Sequence, residues 1–384
     1  MPKPNTINIA AVVPYRIFPA KMGGQKGIAL FYEYLSTLAP VTLITTKNND
    51  VDDFQGKEII TVLSNARSRY FNLLLFFKIR KLILRNGYSH MIFEHPYFGW
   101  LALLLKLFTK VKIIIHSHNI ESIRFKSTGK WWWRLLWQYE KTTHRIADLN
   151  FYISDEDRDF AIMRFKLDPE KCLTITYGFE KKHPPSDMEK TEAGRKLRAL
   201  YAIPSTKKIL LFNGTLDYRP NLNALQIILD QINPLLLQKE DFHYTIIVCG
   251  KNLPEQLDEL RSYSYKNIIY AGFVEDINLY FNGADIFLNP VMDGGGIKTK
   301  LVEALGYDMK CISTKNGAIG VPQHITNNQL VIVDNNDWKS FSEAIMKTDT
   351  TKHIGEDFFK HFYWGNIAQK ALNAIERNQN KTTK

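Results

Sequence analysis

Cysteine is scarce in this chain. Only Cys172, Cys249 and Cys311 occur in 384 residues, unevenly spread, and the last two lie in or beside apolar runs. That argues against a disulfide framework or a cysteine zinc site and reads as buried thiols in a reducing compartment. Long apolar runs are missing as well. A spanning helix needs ~18 apolar residues in a row, and Lys78, Arg80, Lys81, Glu94 and Lys106 interrupt the best stretches. The opening MPKPNTINIAAVVPY goes straight into a strand pattern without the basic-then-apolar layout of a signal peptide, so a cytoplasmic setting is expected. The formal net charge of +11 calls for acidic partners. Helix-turn-helix, zinc-finger and RNA-binding aromatic patterns are lacking, so a nucleotide diphosphate or an anionic membrane surface is expected and nucleic acid is not.

What remains is a folded α/β chain, with 45% hydrophobic and 23% charged residues and length enough for two domains. In the first half, apolar runs at Ile7–Val13, Val41–Thr45, Met91–Phe93, Val111–Ile115 and Leu149–Ile153 alternate with amphipathic stretches at Gly27–Leu38, Phe71–Leu84 and Trp133–Ile146. A second series has strand patterns at Ile209–Phe212, Tyr244–Val248, Ile268–Tyr270, Asp285–Leu288, Cys311–Ser313 and Leu330–Val333. Such alternation predicts two doubly wound parallel sheets, each covered on both faces, with loops at the strand C-termini facing a shared cleft. The expected division is a first α/β domain over 1–185, a linker over 186–205 that overlaps the polar, proline-bearing segment Lys181–Ala193, and a second α/β domain over 206–357. The amphipathic stretch 358–384, with Trp364, is expected to return to the first domain.

The most informative segment is Asp285 to Gly320, read as strand, glycine loop, helix, strand and glycine turn. Gly294-Gly295-Gly296 lets bare backbone approach a ligand, and a helix opening at Gly296-Ile297 presents unpaired N–H groups to an anion. Lys298 and Lys300 place cations at that helix start, where the macrodipole disfavours them unless an anion binds. Glu303, one turn on, can accept hydrogen bonds from a ribose diol. A nucleotide site is one reading. A tight turn beside a solvated face, with Glu303 and Lys300 as ordinary helix neighbours, is the other.

Further motifs weigh in its favour. Gly23-Gly24 follows the first strand, His118-Asn119-Ile120-Glu121 follows the strand at 111–115, and Ser154-Asp155-Glu156-Asp157 ends the strand at 149–153. Gly214-Thr215 runs on to Arg219-Pro220-Asn221, and Gly272-Phe273-Val274-Glu275-Asp276 precedes the closing element Gly294 to Glu303. In this order the motifs resemble those of retaining GT-B glycosyltransferases, most closely glycosyltransferase family 4 (glycosyl transferases group 1).

The resemblance implies a GT-B fold and transfer of a sugar from a nucleotide diphosphate to a glycan or lipid-linked glycan acceptor. Gly23 and Gly24 would lie near acceptor and donor phosphates. Gly214, Thr215 and Arg219 would contact donor phosphate, and Phe273 and Val274 the base. Gly295, Gly296, Ile297, Lys298 and Glu303 would bind the rest of the nucleotide. His118, with His116 second, is the candidate for hydrogen-bonding the donor sugar, and Lys300 for neutralising the leaving diphosphate. Many family members carry a glutamate eight positions before the one matched here by Glu303; this chain has Gly295 there, so that role falls to Asp293 or is dropped. The hinge turn, Tyr177-Gly178, also departs from the family's Asn-Gly.

No separate cofactor is implied, since the donor is a substrate. No Asp-x-Asp element stands beside the glycine loop to hold a divalent ion, so metal independence is expected. Retention fits a same-face mechanism in which the leaving phosphate helps deprotonate the acceptor. Oligomeric state is not legible. Two alternatives remain open, a non-catalytic nucleotide-binding scaffold subunit and a nucleotide-sugar epimerase of like architecture. Arg69 to Arg85 and Lys130 to Lys141 mix large apolar with basic groups, a composition shared by interfacial helices and by buried ones.

Overall fold

The computed structural model describes residues 7–20, 23–52, 54, 56, 58–348 and 352–381. The tail of the expected returning stretch, 382–384, and the first six residues lie outside them. The chain forms two compact units, Met1–Gly178 with Phe362–Lys384, and Phe179–His361.

The first unit is built on seven strands: β1 (Ile9–Val12), β2 (Val41–Thr46), β3 (Glu58–Leu63), β4 (His90–Glu94), β5 (Lys112–Ser117), β6 (Leu149–Tyr152) and β7 (Cys172–Thr174). They pair in parallel in the order β3-β2-β1-β4-β5-β6-β7. The inner strands read as unbroken apolar runs because helices cover both faces. β1 and β4 are neighbours whose chains then leave in opposite directions across the sheet, and ligands of open α/β sheets collect at the C-terminal ends of such a pair. The C-terminal helix Trp364–Lys381 packs on the helix Gly23–Ser36. Trp364 is sealed against Tyr177 and over Gly178, where a Cβ would come within 2.4 Å of the indole.

The second unit holds β8 (Lys208–Asn213), β9 (Tyr244–Cys249), β10 (Ile268–Gly272), β11 (Ile286–Asn289), β12 (Lys310–Thr314) and β13 (Leu330–Val333), all parallel, in the order β10-β9-β8-β11-β12-β13. Here β8 and β11 form the switch point.

The expected linker needs correction. Residues 187–200 form a 14-residue helix, Asp187–Leu200, that buries Ala193 and Leu197. Ser186 and Glu189 close a capping box at its start, so the polar composition that suggested a linker encodes a helix N-terminus. The three cysteines are free and buried.

Candidate active site

In the second unit the site is built from the segments after β8, β10, β11 and β12. After β8, Gly214 leads to the helix Arg219–Ile227. Asn221 folds back so that its Nδ2 donates to the Thr215 carbonyl at 2.9 Å, and a Cβ on Gly214 would come within 2.8 Å of that amide. This contact explains the spacing of Gly214 from Pro220-Asn221. Arg219, at the first helical position, is exposed. After β10, Phe273 projects into solvent, 72% exposed, and Asp276 caps the next helix through the Asn278 amide at 3.0 Å.

The glycine loop after β11 is closed by its own lysine. The Lys298 ammonium donates to the carbonyls of Gly294 (3.0 Å), Gly295 (3.4 Å) and Gly296 (2.8 Å). Gly294 (φ 85°) and Gly296 (φ 68°) are left-handed, as that wrap requires. The helix then runs Thr299–Gly306, two residues later than the expected start at Ile297, with Lys298 at its cap position. Lys300 is half-buried, and burial lowers its pKa against the opposing charge of Glu303. Among the described residues no carboxylate forms an ion pair with it. Asp293 accepts from Asn223 Nδ2 at 2.5 Å, which ties the loop to the helix after β8. Beneath, Asn316 Nδ2 donates to the Met292 carbonyl at 2.7 Å and Thr314 Oγ1 to that of Val291 at 2.6 Å. Gly320 (φ 84°) lies against Ile297, where a Cβ would be 3.0 Å away.

In the first unit a polar cluster occupies the C-terminal ends of β4 and β5. Glu94, the last residue of β4, is fully buried and accepts from three groups: Tyr32 Oη (2.5 Å), His116 Nδ1 (3.0 Å) and His118 Nε2 (2.6 Å). Burial alone would raise its pKa; the two imidazoles outweigh that and hold the carboxyl well below its usual range. Burial pushes His118 down to about 4 against the pull of Glu94, so its ring is neutral near pH 7. Next to it, His95 is held at φ 64° by a backbone N–H bond to the His116 carbonyl (2.8 Å), by Tyr15 Oη at Nε2 (2.8 Å) and by Glu121 at Nδ1 (3.1 Å). A non-glycine residue in that region carries ~1–3 kcal/mol of strain, and such strain concentrates at functional sites. Tyr97, His95, His118 and His116 form a column of rings with successive centroids 5.3, 4.9 and 4.7 Å apart.

Glu94, His116 and His118 offer donor atoms within 4.8 Å of one another. Their nitrogens lie at hydrogen-bond distances of 3.0 and 2.6 Å from separate oxygens of Glu94. Ligand atoms around tetrahedral zinc, with bonds of ~2.0 Å, stand ~3.3 Å apart. The cluster therefore reads as a proton-linked clamp.

The expected residues thus fall into two groups. Arg219, Asp293, Gly295, Gly296, Ile297, Lys298, Lys300 and Glu303 gather around the β8–β11 switch point with Gly214 and Thr215, and Phe273 and Val274 follow β10. His118 belongs to the first unit, where Gly23 and Gly24 open the helix Gly23–Ser36. A Cβ on Gly24 would meet nothing within 4 Å among the described residues, so crowding does not account for this glycine. Glu121 is committed to His95 and to Arg124 Nε (2.8 Å), and Asp155 to Thr174 Oγ1 (2.5 Å). Sequence reading missed Glu94, Tyr32, His95 and Tyr15. Glu94 counted there only as a charge breaking an apolar run, although a carboxylate ending a buried strand is itself a signal.

Comparison with known proteins agrees with this geometry. Residues 23–181 match the family model described as Glycosyltransferase Family 4, and residues 207–348 the one described as Glycosyl transferases group 1. A chain from Anabaena, Alr3699/HepE in complex with UDP, superposes with a TM-score of 0.71 at 13% identity, covering 97% of this chain and all of that one. The two domain matches and the two parallel sheets define a GT-B glycosyltransferase. Within that class the chain is 23% identical to an uncharacterized 44.6 kDa protein in the cps region of Klebsiella pneumoniae, over 86% of this chain and 87% of that protein. It is also 23% identical to the chitobiosyldiphosphodolichol beta-mannosyltransferase of Debaryomyces hansenii, over 91% of this chain and 80% of that one.

Proposed function

We propose that this enzyme moves a hexose from a nucleotide diphosphate to a glycan or lipid-linked glycan, with retention of anomeric configuration, in the cytoplasmic synthesis of a bacterial polysaccharide. The observation that carries the reading is Lys300. A half-buried ammonium without an ion-pair partner among the described residues, beside a glycine loop at the switch point, has its burial only partly offset by the charge of Glu303. A donor diphosphate supplies the remaining counter-charge, and Lys300 then stabilises the charge that develops as the sugar leaves. Arg219 assists at the neighbouring helix start, Glu303 binds the ribose, and Phe273 offers a face for the base. Lys298 keeps the loop in shape. His118 hydrogen-bonds a sugar hydroxyl.

Polysaccharide synthesis is suggested by the cps-region relative. UDP bound to the Anabaena neighbour makes UDP-sugars the first donors to try, followed by GDP- and ADP-sugars. The test is release of nucleoside diphosphate with and without EDTA, and NMR of the product's anomeric proton. Release unaffected by EDTA, with the donor's configuration kept, is the expected result. A beta linkage, as in the yeast relative's name, formed from an alpha-configured donor would refute retention. No release from any donor would favour a scaffold.

The lipid-linked acceptor gains support from the surface of the first unit. Between residues 59 and 120 the one acidic residue is Glu94, which is buried. The helices Leu74–Asn86 and Gly99–Phe108 expose Leu74, Phe77, Leu84, Leu107 and Phe108 beside Lys78, Arg80, Lys81 and Arg85. That pairing of apolar and cationic groups suits an anionic membrane surface. The segment 130–141 contributes less, because Trp137 packs on Phe160 and Phe165. Among the described residues no helix is long and apolar enough to cross a membrane. Changing Arg80, Lys81 and Arg85 to glutamate should weaken sedimentation with phosphatidylserine vesicles by ~10²-fold or more. Unchanged sedimentation would rule out this face.

A further inference from the structure

We propose that Glu94 is a positioning residue that fixes the tautomer of His118, so that His118 can only accept a hydrogen bond from its ligand. An ionised carboxylate has no proton to give, so both nitrogens facing it carry one: His116 at Nδ1 and His118 at Nε2. A neutral imidazole protonated at Nε2 has a lone pair at Nδ1. The two rings differ in what that leaves free. His116 Nε2 is sealed in the interior without a partner, whereas the His118 side chain keeps 13% of its surface exposed and its Nδ1 meets no partner among the described residues. His118 is therefore the ring that faces outward, a ranking sequence alone does not provide, and His116 acts as its buried support. Tyr32, donating to the Glu94 oxygen that also serves His116, holds the carboxylate in place.

The consequence concerns ligand chemistry. An exposed lone pair repels phosphate and carboxylate and attracts a hydroxyl proton, so the group bound at His118 is a hydroxyl donor. Identifying that hydroxyl with one on a sugar rests on the transferase reading; the tautomer does not.

The test uses the full chain labelled with ¹⁵N-histidine and long-range ¹H–¹⁵N correlation near neutral pH, with His118 assigned by the loss of its signals in His118→Gln. The wild type should show a protonated Nε2 and a bare Nδ1 for His118, and Glu94→Gln should populate the other tautomer. Inorganic phosphate should leave the signals in place. Where a donor is turned over, Glu94→Gln should lower kcat by ~10- to 100-fold with little change in KM, and Glu94→Asp should recover part of it. A bare Nε2 in the wild type overturns the proposal, and so does a tautomer unchanged in Glu94→Gln. The wild-type spectrum decides even if the variant fails to fold, and it does so whether or not any donor is cleaved.

Discussion

Two lysines two residues apart serve different ends. Lys298 wraps into the glycine loop and satisfies three carbonyls, so its charge organises the backbone. Lys300 is half-buried, and burial lowers its pKa, a sign that the folded chain holds an ammonium at some cost. Lys300→Ala should therefore cut donor cleavage by ~10²- to 10³-fold, the usual loss for one charge-stabilising donor, while its melting temperature stays level or rises. Steady-state rates and a thermal melt check both halves. A variant with the wild-type rate would remove Lys300 from the chemistry. From sequence, the GGG-x-K-x-K spacing offers both lysines alike to an anion; the folded loop shows that Lys298 turns back on its own carbonyls.

At the scale of elements, helix starts are held by side chains distant in sequence. The helix Glu121–Ser127 has no cap from its own N-cap side chain. Instead Glu140, from the helix Trp133–Ile146, accepts the amides of Glu121 (2.8 Å) and Ser122 (2.9 Å) from a buried position. Burial raises the Glu140 carboxyl from 4.5 to about 7. Between those values the folded chain keeps a proton that the unfolded chain has lost, so the stability from this group is full below about pH 4.5 and declines as pH rises through about 7. Glu140→Gln keeps an acceptor and removes the titration. Its melting temperature should gain on the wild type between about pH 5 and about pH 8, and a constant difference would contradict the raised value. Most elements were legible because apolar runs and helical periodicity survive in the sequence: Trp133–Ile146 and Leu330–Val333 match their expected bounds. The three-residue β7 is too short to show such a run, whereas the edge strand β3 was missed although Ile59-Ile60-Thr61-Val62-Leu63 is one. The helix Asp187–Leu200 was hidden by its charged surface. Glu94 carried a signal as a carboxylate ending a buried strand, but its role and that of His95 depend on partners 22 to 26 residues away, across strands, and on Tyr15 and Tyr32, still farther along the chain.

On the scale of the whole molecule, the first unit is completed by the end of the chain. Trp364 fills the space over Gly178 beside Tyr177 and is 2% exposed. Trp364→Ala should cost ~3–5 kcal/mol, the range for deleting a large buried aromatic, read as a lower denaturant midpoint for the first unit; a loss under ~1 kcal/mol would mean that the helix docks without it. The second unit carries the central claim, a nucleotide pocket between the loops after β8 and β11. Its most direct test is a thermal-shift titration of the wild type and Glu303→Ala with UDP, GDP and ADP. Binding to the folded state raises the melting temperature by mass action, by ~2.7 kcal/mol of stability at a hundredfold excess over Kd. One nucleotide should stabilise the wild type, with the shift lost in Glu303→Ala. No shift with any of the three at millimolar concentration, or an equal shift in the variant, would contradict the assignment.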